Sequence, residues 1–227
     1  MNYYALLEKK ERGCPIGAMQ GVVYDRFVEN VRDVKYGEKP WYSYLDSSGA
    51  MFSDEMFLIS RDKLISYDIR SSGADSKFHI VSRDFLGILI DFSVPIKEER
   101  PIAIVNSRGK SIAENDYHII AFESGIYKED VLKDSSIVGL NEFGNCFVVG
   151  AIEFKEDFGE DFFKIKNLDL AQNSIFCSEE FAREAVKRRV AAGVEFRRVD
   201  EINWGSVSPD NFLGFLTDDS ESLLFIH

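Results

Sequence analysis

Three histidines are the side chains best suited to acid–base or metal chemistry in this sequence. They are His79, His118 and His227, and none stands at the HExxH spacing or another spacing that places two imidazoles on one metal ion. His79 and His118 lie in or beside apolar runs, a setting typical of hydrogen-bonded histidines in strands. We therefore predict structural roles for the histidines and no metal site.

A cysteine nucleophile is a second route to catalysis. Its thiol needs a base close in space, and the sequence leaves open whether Cys14 or Cys146 meets His118. An enzyme of unrecognised type would use Cys146, His118 or a carboxylate such as Glu123. Cys177 lies in an apolar run and is typical of a small core residue. We predict no catalytic residues, and an uncharacterised hydrolase stays an alternative.

The motifs of nucleotide-dependent and esterase chemistry are absent from the sequence. No GxGxxG or GxxxxGK[ST] motif offers backbone N–H groups to a phosphate, and no GxSxG motif offers a serine nucleophile. The segment Gly139–Gly144 has two glycines without the following Lys and Ser/Thr, which favours a turn. We therefore expect no cofactor and no enzymatic activity.

Acidic side chains are concentrated in the segments 153–161 and 218–221, and Phe158, Phe162 and Phe163 interleave with the first. An aromatic anchor ringed by carboxylates is typical of an interface with a basic protein, whereas solvated loops with inward-facing phenylalanines are the alternative. We predict that the partner-binding residues are Glu153, Glu156, Asp157, Phe158, Glu160, Asp161, Asp218, Asp219 and Glu221.

The overall charge narrows the class of partner. The chain carries 27 Lys and Arg against 39 Asp and Glu, a formal net charge of −12, which repels nucleic acid and anionic lipid and attracts basic surfaces. We expect neither nucleic acid nor membrane as a partner, although acidity for solubility alone would look the same. With 45% hydrophobic residues the chain has the apolar side chains that a core requires.

The cysteine usage and the apolar segments indicate a cellular location. Three scattered cysteines do not form a disulfide framework or a CxxC site. The N-terminal sequence does not have the pattern of a signal peptide, and no apolar run approaches the roughly 18 residues of a membrane span. We expect a cytoplasmic protein, and its oligomeric state is left open.

Three segments share one local pattern, an apolar run, a serine, two charged residues and a second apolar region. They are 57–62, 80–86 and 175–181. A serine hydroxyl accepts a hydrogen bond from a free backbone N–H, and acidic groups favour the first turn of a helix. The pattern therefore predicts a strand that ends at a helix N-cap in each segment.

The third of these segments predicts the clearest element of the chain. After Ser178, apolar positions fall on one helical face, basic residues occupy 187–189 and Gly193 is predicted to stop the helix. Val194–Phe196 then alternates as a returning strand. The sequence therefore predicts a strand–helix–strand unit over 175–199.

The remainder of the chain indicates mostly β structure. We predict strands at Asn2–Leu7, Pro101–Val105 and Tyr117–Phe122, and a strand pair formed by Cys146–Phe154 and Phe162–Ile165. The expected fold class is α+β, a mostly antiparallel sheet with a few short helices. We expect a single domain over 1–227, with two lobes, 1–99 and 100–227, as the alternative.

The stretch from Asp116 to Asp200 resembles an immunity-protein family of bacterial polymorphic toxin systems. The residues that carry the resemblance are Asp116–Ile120, Phe163–Asn167, Ile175–Phe181 and Gly193–Phe196. They match a tyrosine-rich strand, a strand-to-helix step of the form IFVS-(D/E)-x-(L/F), and a closing GxxF strand.

The resemblance implies a protein that is encoded beside a secreted or injected toxin and binds that toxin in producer or sibling cells. It implies no catalytic residues. Our hypothesis is that the protein neutralises the toxin by occlusion. Acidic loops would steer a basic toxin, for example a nuclease, and aromatic residues would supply the binding energy of the complex. A regulatory or scaffold binding module is the alternative from another functional class.

Overall fold

The computed structural model describes residues 2–16, 21–29, 52–71, 78–123, 125–133, 139–140, 146–147, 152–166 and 175–202. Asp218, Asp219, Glu221 and His227 lie outside the described residues. Two large mixed sheets and short helices make up the described part, so the predicted α+β class is confirmed. Most neighbouring strands are antiparallel.

The described elements are numbered here in chain order. The helices are α1 (Arg83–Asp91), α2 (Lys128–Val131) and α3 (Glu179–Lys187), and a 3-10 turn spans Val199–Glu201. The strands are β1 (Tyr3–Glu8), β2 (Gly21–Tyr24), β3 (Phe57–Ser60), β4 (Ile69–Ser71), β5 (His79–Ser82), β6 (Ile96–Val105), β7 (Tyr117–Phe122), β8 (Ile126–Tyr127), β9 (Gly139–Leu140), β10 (Cys146–Phe147), β11 (Phe162–Lys166), β12 (Ile175–Ser178) and β13 (Val194–Arg198).

The strands form a six-stranded sheet, a five-stranded sheet and one short pair. The six-stranded sheet has the order β2-β3-β6-β7-β5-β4, in which only β3 and β6 run parallel. The five-stranded sheet has the order β13-β1-β12-β11-β8, in which only β11 and β8 run parallel. The short pair is β9 with β10.

Both large sheets are buried on both faces, and they share a central core. Successive residues of a strand point to opposite faces, so Val81 packs into the central cluster while Ile80 packs into the outer cluster of the six-stranded sheet. In the five-stranded sheet Phe162 likewise packs into the central cluster, and Phe163 packs into the outer cluster of that sheet. The central cluster also contains the buried faces of α1 and α3, where the rings of Phe85 and Phe181 lie 6.0 Å apart.

The steps from β5 to α1 and from β12 to α3 use the same hydrogen bonds. Ser82 Oγ accepts from the N–H of Phe85 at 3.1 Å and donates to Asp68 Oδ1 at 2.5 Å. Ser178 Oγ accepts from the N–H of Phe181 at 3.2 Å and donates to Asp161 Oδ1 at 2.5 Å. Each serine therefore caps its helix and binds a carboxylate that stands just before the neighbouring strand.

These two steps belong to an internal structural repeat. The unit β4-β5-α1-β6 corresponds to β11-β12-α3-β13, since in each unit a hairpin leads into a helix and then a strand. A strand from elsewhere completes each sheet in the same position, β7 between β5 and β6, and β1 between β12 and β13. The first N–H of each helix even binds the equivalent carbonyl, Arg83 to Asp116 and Glu179 to Asn2. Two of the three serine patterns thus mark equivalent positions.

The helix predicted after the serine pattern at 57–62 is wrong. No helix follows β3, because Ser60 Oγ instead donates to Asp62 Oδ2 at 2.8 Å and accepts from the Asp62 N–H at 3.1 Å, which closes a local turn. The strand Phe57–Ser60 itself is confirmed.

The predicted stop at Gly193 was also wrong. The helix α3 ends at Lys187, and Arg189 takes the left-handed conformation with φ 60°. The N–H groups of Arg189 and Val190 bind the carbonyls of Val186 and Ala185, the hydrogen bonds of a Schellman motif. Gly193 has φ +71° for another reason: a Cβ there would lie 2.8 Å from Cys14 Cβ, in the contact with the segment after β1.

The other strand predictions have mixed outcomes. The opening strand, Tyr117–Phe122 and the strand–helix–strand unit over 175–199 are confirmed, and the strand expected at Pro101–Val105 begins earlier, at Ile96. The predicted pairing of Cys146–Phe154 with Phe162–Ile165 is wrong. The strand β11 pairs with β12 and β8, and β10 pairs with β9. The single-domain organisation stays a prediction, which the shared central cluster supports.

The repeat generates a prediction about stability. We expect Ser82→Ala and Ser178→Ala each to lower the free energy of unfolding by about 1 to 2 kcal/mol, because each removes a helix cap and leaves a carboxylate without its donor. Urea denaturation at pH 7 measures the change. Ser107→Ala, in the exposed turn after β6, is the control and is expected to change it by less than about 0.5 kcal/mol. Equal stability of all three variants would contradict the capping role.

Candidate functional site

The predicted partner-binding residues of the first acidic segment lie in one exposed loop, residues 155–161, which we name the acidic loop. Glu156, Asp157 and Glu160 are exposed in it. Glu153 lies just before the loop, is also exposed and forms an ion pair with Lys133 at 3.6 Å. The structure therefore brings together the predicted residues of segment 153–161, three of them as exposed carboxylates on the loop itself.

Asp161 has a structural task within this set. Its carboxylate accepts a hydrogen bond from the Ser178 hydroxyl, and its backbone carbonyl accepts one from the Ser178 N–H at 2.9 Å. The end of the acidic loop is thereby fixed to the first turn of α3. Asp161 thus positions the neighbouring carboxylates, a role that the pattern of acids alone did not indicate.

Phe158 fastens the middle of the acidic loop to the protein. Its ring is half-buried and lies 4.7 Å from the ring of Phe163, 5.6 Å from Tyr3 and 6.0 Å from Phe154, measured between ring centroids. The hydroxyl of Tyr3 donates to the carbonyl of Phe158 at 2.8 Å. Burial, followed by the charges of Asp161 and Glu160, raises the pKa of Tyr3 to about 12, so its hydroxyl stays a donor. Phe162 is buried as well.

Two concave surfaces flank the junction of the acidic loop with β11. The first, which we name the edge pocket, has a volume of about 110 Å³ and is lined mainly by apolar side chains together with Glu123, Glu160 and Lys164. The second, which we name the helix-end groove, has a volume of about 420 Å³ and includes Asp161. Adjacent residues of the loop, Glu160 and Asp161, therefore contribute to different concavities.

The helix-end groove carries an excess of negative charge. Asp91, Asp161, Glu180 and Glu184 line it together with Arg188. The guanidinium of Arg188 binds Asp91 at 2.5 Å and Glu184 at 2.7 Å, which joins the ends of α1 and α3. One arginine thus stands against four carboxylates, and the groove extends the negative surface of the acidic loop.

The candidate nucleophiles and bases are engaged in structural contacts. Cys14 Sγ lies 3.6 Å from Ser66 Oγ and 3.7 Å from the Arg12 carbonyl, and His118 Nδ1 contacts Glu99. Burial raises the pKa of the Cys14 and Cys177 thiols, which disfavours the reactive thiolate. The Cys146 side chain lies outside what the structure describes.

No group of three or more His, Cys, Asp or Glu side chains within the described ranges could hold a metal ion. No helix in the described part of the chain has the length and apolar character needed to cross a membrane.

Comparison with known proteins decides the family. A family model described as Immunity protein 43 matches residues 7–204, which is most of the chain. The chain belongs to the Immunity protein 43 family. The match confirms the resemblance seen in Asp116–Asp200 and extends it toward the N-terminus, so that it includes both units of the internal repeat. No curated protein matches the chain.

One buried titratable group of this Immunity protein 43 family member lies beside the edge pocket. His79 is 2% exposed, and its ring lies 4.9 Å from that of Phe122, which lines the pocket. Neither ring nitrogen has a hydrogen-bond partner among the described residues. Burial, and to a smaller extent the charge of Lys164, lowers the pKa of His79 to about 3. The predicted place of His79 in a strand is confirmed, but the predicted hydrogen bond is wrong, because neither ring nitrogen has a partner among the described residues.

This histidine generates a prediction about acid sensitivity. Between pH 6.5 and about 3 the unfolded imidazole is protonated and the folded one is neutral, so stability falls as the pH falls through this window. Between pH 7.5 and 3 we expect the free energy of unfolding to fall by roughly 4 kcal/mol less in the His79→Leu variant than in the parent protein. Urea denaturation across that range measures the difference. Parallel pH profiles of the two proteins would contradict the assignment.

Proposed function

We propose that this chain binds a cognate bacterial toxin and neutralises it by covering the toxin's working surface, without catalysis of its own. Membership of the Immunity protein 43 family supports the immunity role. The proposal places this action in the cytoplasm of producer or sibling cells, against a toxin of a polymorphic toxin system. A basic toxin, such as a nuclease, fits the negative charge of the chain.

The observation that carries the proposal is the anchored acidic loop. Glu156, Asp157 and Glu160 are exposed. Phe158 anchors the loop by its ring contact with Phe163, and Asp161 anchors it by accepting the hydrogen bond of Ser178. A loop ordered before binding loses less conformational entropy when a partner docks. Its carboxylates can therefore both steer a basic partner and define the register of the complex.

Two exposed apolar residues are sequence neighbours of residues that line the two concave surfaces. Ile90 is 62% exposed and precedes Asp91, which lines the helix-end groove. Tyr127 is 52% exposed and follows Ile126, which lines the edge pocket. Exposed aromatic and aliphatic side chains next to charged residues are typical of protein-binding surfaces. We propose that these two residues contribute to the contact.

The first test is protection and binding. Cells that express the toxin domain encoded by the neighbouring gene are expected to survive when this chain is co-expressed. The purified pair is expected to form a 1:1 complex whose association rate falls as salt is raised, because screening weakens the attraction between opposite charges. Failure of the chain both to protect and to bind would overturn the proposed function.

A charge-matched pair of triple variants tests the role of the acidic loop. We expect Glu156→Gln, Asp157→Asn and Glu160→Gln together to lower the association rate by about tenfold at low salt. The control, Asp54→Asn, Glu55→Gln and Glu114→Gln, removes the same charge from exposed positions near residues that cover the six-stranded sheet. We expect the control to lower the rate less than about threefold.

The two variants separate local contact from net charge. Equal losses in both would show that overall charge alone drives association. An unchanged rate in the loop variant would place the interface elsewhere. Stopped-flow fluorescence at two salt concentrations measures both rates.

A further inference from the structure

We propose that the edge pocket binds one lysine or arginine side chain of the toxin, with the aliphatic stem between apolar walls and the charged head at Glu123 and Glu160. The proposal rests on the proposed function, since it names the side chain that the immunity surface would anchor.

The walls of the pocket come from both large sheets. Phe122 at the end of β7 and Val94 belong to the side of the six-stranded sheet, whereas Phe162, Ile126 and Ile175 belong to the five-stranded sheet. These side chains pack into the central cluster or, in the case of Ile126, into the outer cluster of the five-stranded sheet. The walls are therefore parts of the core that remain accessible at an edge.

A glycine holds one wall in place. Gly125 lies between β7 and β8, and a Cβ there would stand 2.5 Å from the Lys164 carbonyl oxygen. No other residue type allows so close an approach of the loop to β11. The wall formed by Gly125 is therefore set by contact between two backbone segments.

The size of the pocket suits an aliphatic stem. Its volume is about 110 Å³. The three or four methylenes of an arginine or lysine stem are small enough for this space. Such stems pack on apolar surface while their charged heads stay at its edge.

The charge of the pocket selects a cation over an anion. Glu123, in the loop after β7, and Glu160, in the acidic loop, are exposed, and both line the pocket. Lys164 lines it as well and offsets one of the two negative charges. The remaining negative charge favours a guanidinium or ammonium head. Loss of the Lys164 charge is expected to strengthen this preference.

Small probes test the pocket without any toxin. We expect n-butylguanidinium to bind the isolated full chain with a dissociation constant of about 1 mM or weaker, with amide NMR shifts centred on Phe122, Gly125 and Ile126. 1-Butanol, which lacks the charge, is expected to bind more weakly, and butyrate more weakly still. Equal shifts with all three probes, or shifts centred elsewhere, would overturn the proposal.

Variants of the pocket give the second measurement, against the toxin domain encoded by the neighbouring gene. We expect Glu123→Gln and Glu160→Gln each to weaken binding about threefold to tenfold, and Lys164→Gln to strengthen it. Val94→Phe, which fills the pocket, is expected to weaken binding more strongly, and its melting temperature reports whether it folds. Glu114→Gln is the charge-matched control.

The outcomes distinguish the two proposals. Absence of binding by the parent chain would contradict the proposed function itself. Tight binding by the parent and equally tight binding by the Glu123, Glu160 and Val94 variants would leave the immunity role intact and overturn the pocket assignment.

Discussion

The hydrogen bond between Ser178 and Asp161 joins the acidic loop, for which we propose toxin binding, to the rest of the fold. The serine ends β12, caps α3 and binds a carboxylate at the start of β11, so a strand, a helix and the acidic loop share one point. The same hydroxyl is buried, and a buried hydroxyl without a partner is costly. The position of the exposed carboxylates is thus linked to the stability of the helix.

The sequence predicted those features of the fold that depend on local chemistry. The serine caps, the amphipathic helix after Ser178 and the strand 117–122 follow from side-chain patterns within a few residues. The helix and the strand are confirmed, and the caps are confirmed at Ser82 and Ser178. Ser60 shows the limit of such patterns. Ser60 is also followed by two charged residues, but its hydroxyl binds Asp62 within its own turn. The hydroxyls of Ser82 and Ser178 instead bind the distant Asp68 and Asp161.

Features that depend on contacts between distant residues could not be predicted from the sequence. The pairing of β11 with β12 and β8, and the insertion of β1 between β12 and β13, join segments that lie up to about two hundred residues apart. The end of α3 at Lys187 depends on Arg189, a non-glycine residue in the left-handed region, which propensity disfavours. For the candidate site, the acidic residues were visible in the sequence, but the edge pocket was not, because its walls come from both sheets.

The internal repeat offers a physical reason why the acidic loop, and not its counterpart, is suited to bind a partner. In the first unit the segment before β4 is covered: Ile65 and Tyr67 are buried, and Asp68 also accepts the Ala192 N–H at 2.7 Å. In the second unit the equivalent Asp161 keeps the bond to its serine, while the residues before it remain exposed.

Both units fasten this segment in the same way. In each unit the tyrosine that begins the inserted strand donates a hydrogen bond to a backbone carbonyl of the segment before β4 or β11. In β7, Tyr117 donates to Tyr67, and in β1, Tyr3 donates to Phe158, each at 2.8 Å. The scaffold is therefore common to both copies, and they differ in whether the anchored segment is covered. A copy whose segment is covered contributes to the core, whereas the copy with an open, charged segment is free to meet another protein. This difference, more than the acidity of the whole chain, is the reason for our proposal that the loop at 155–161 contacts the toxin.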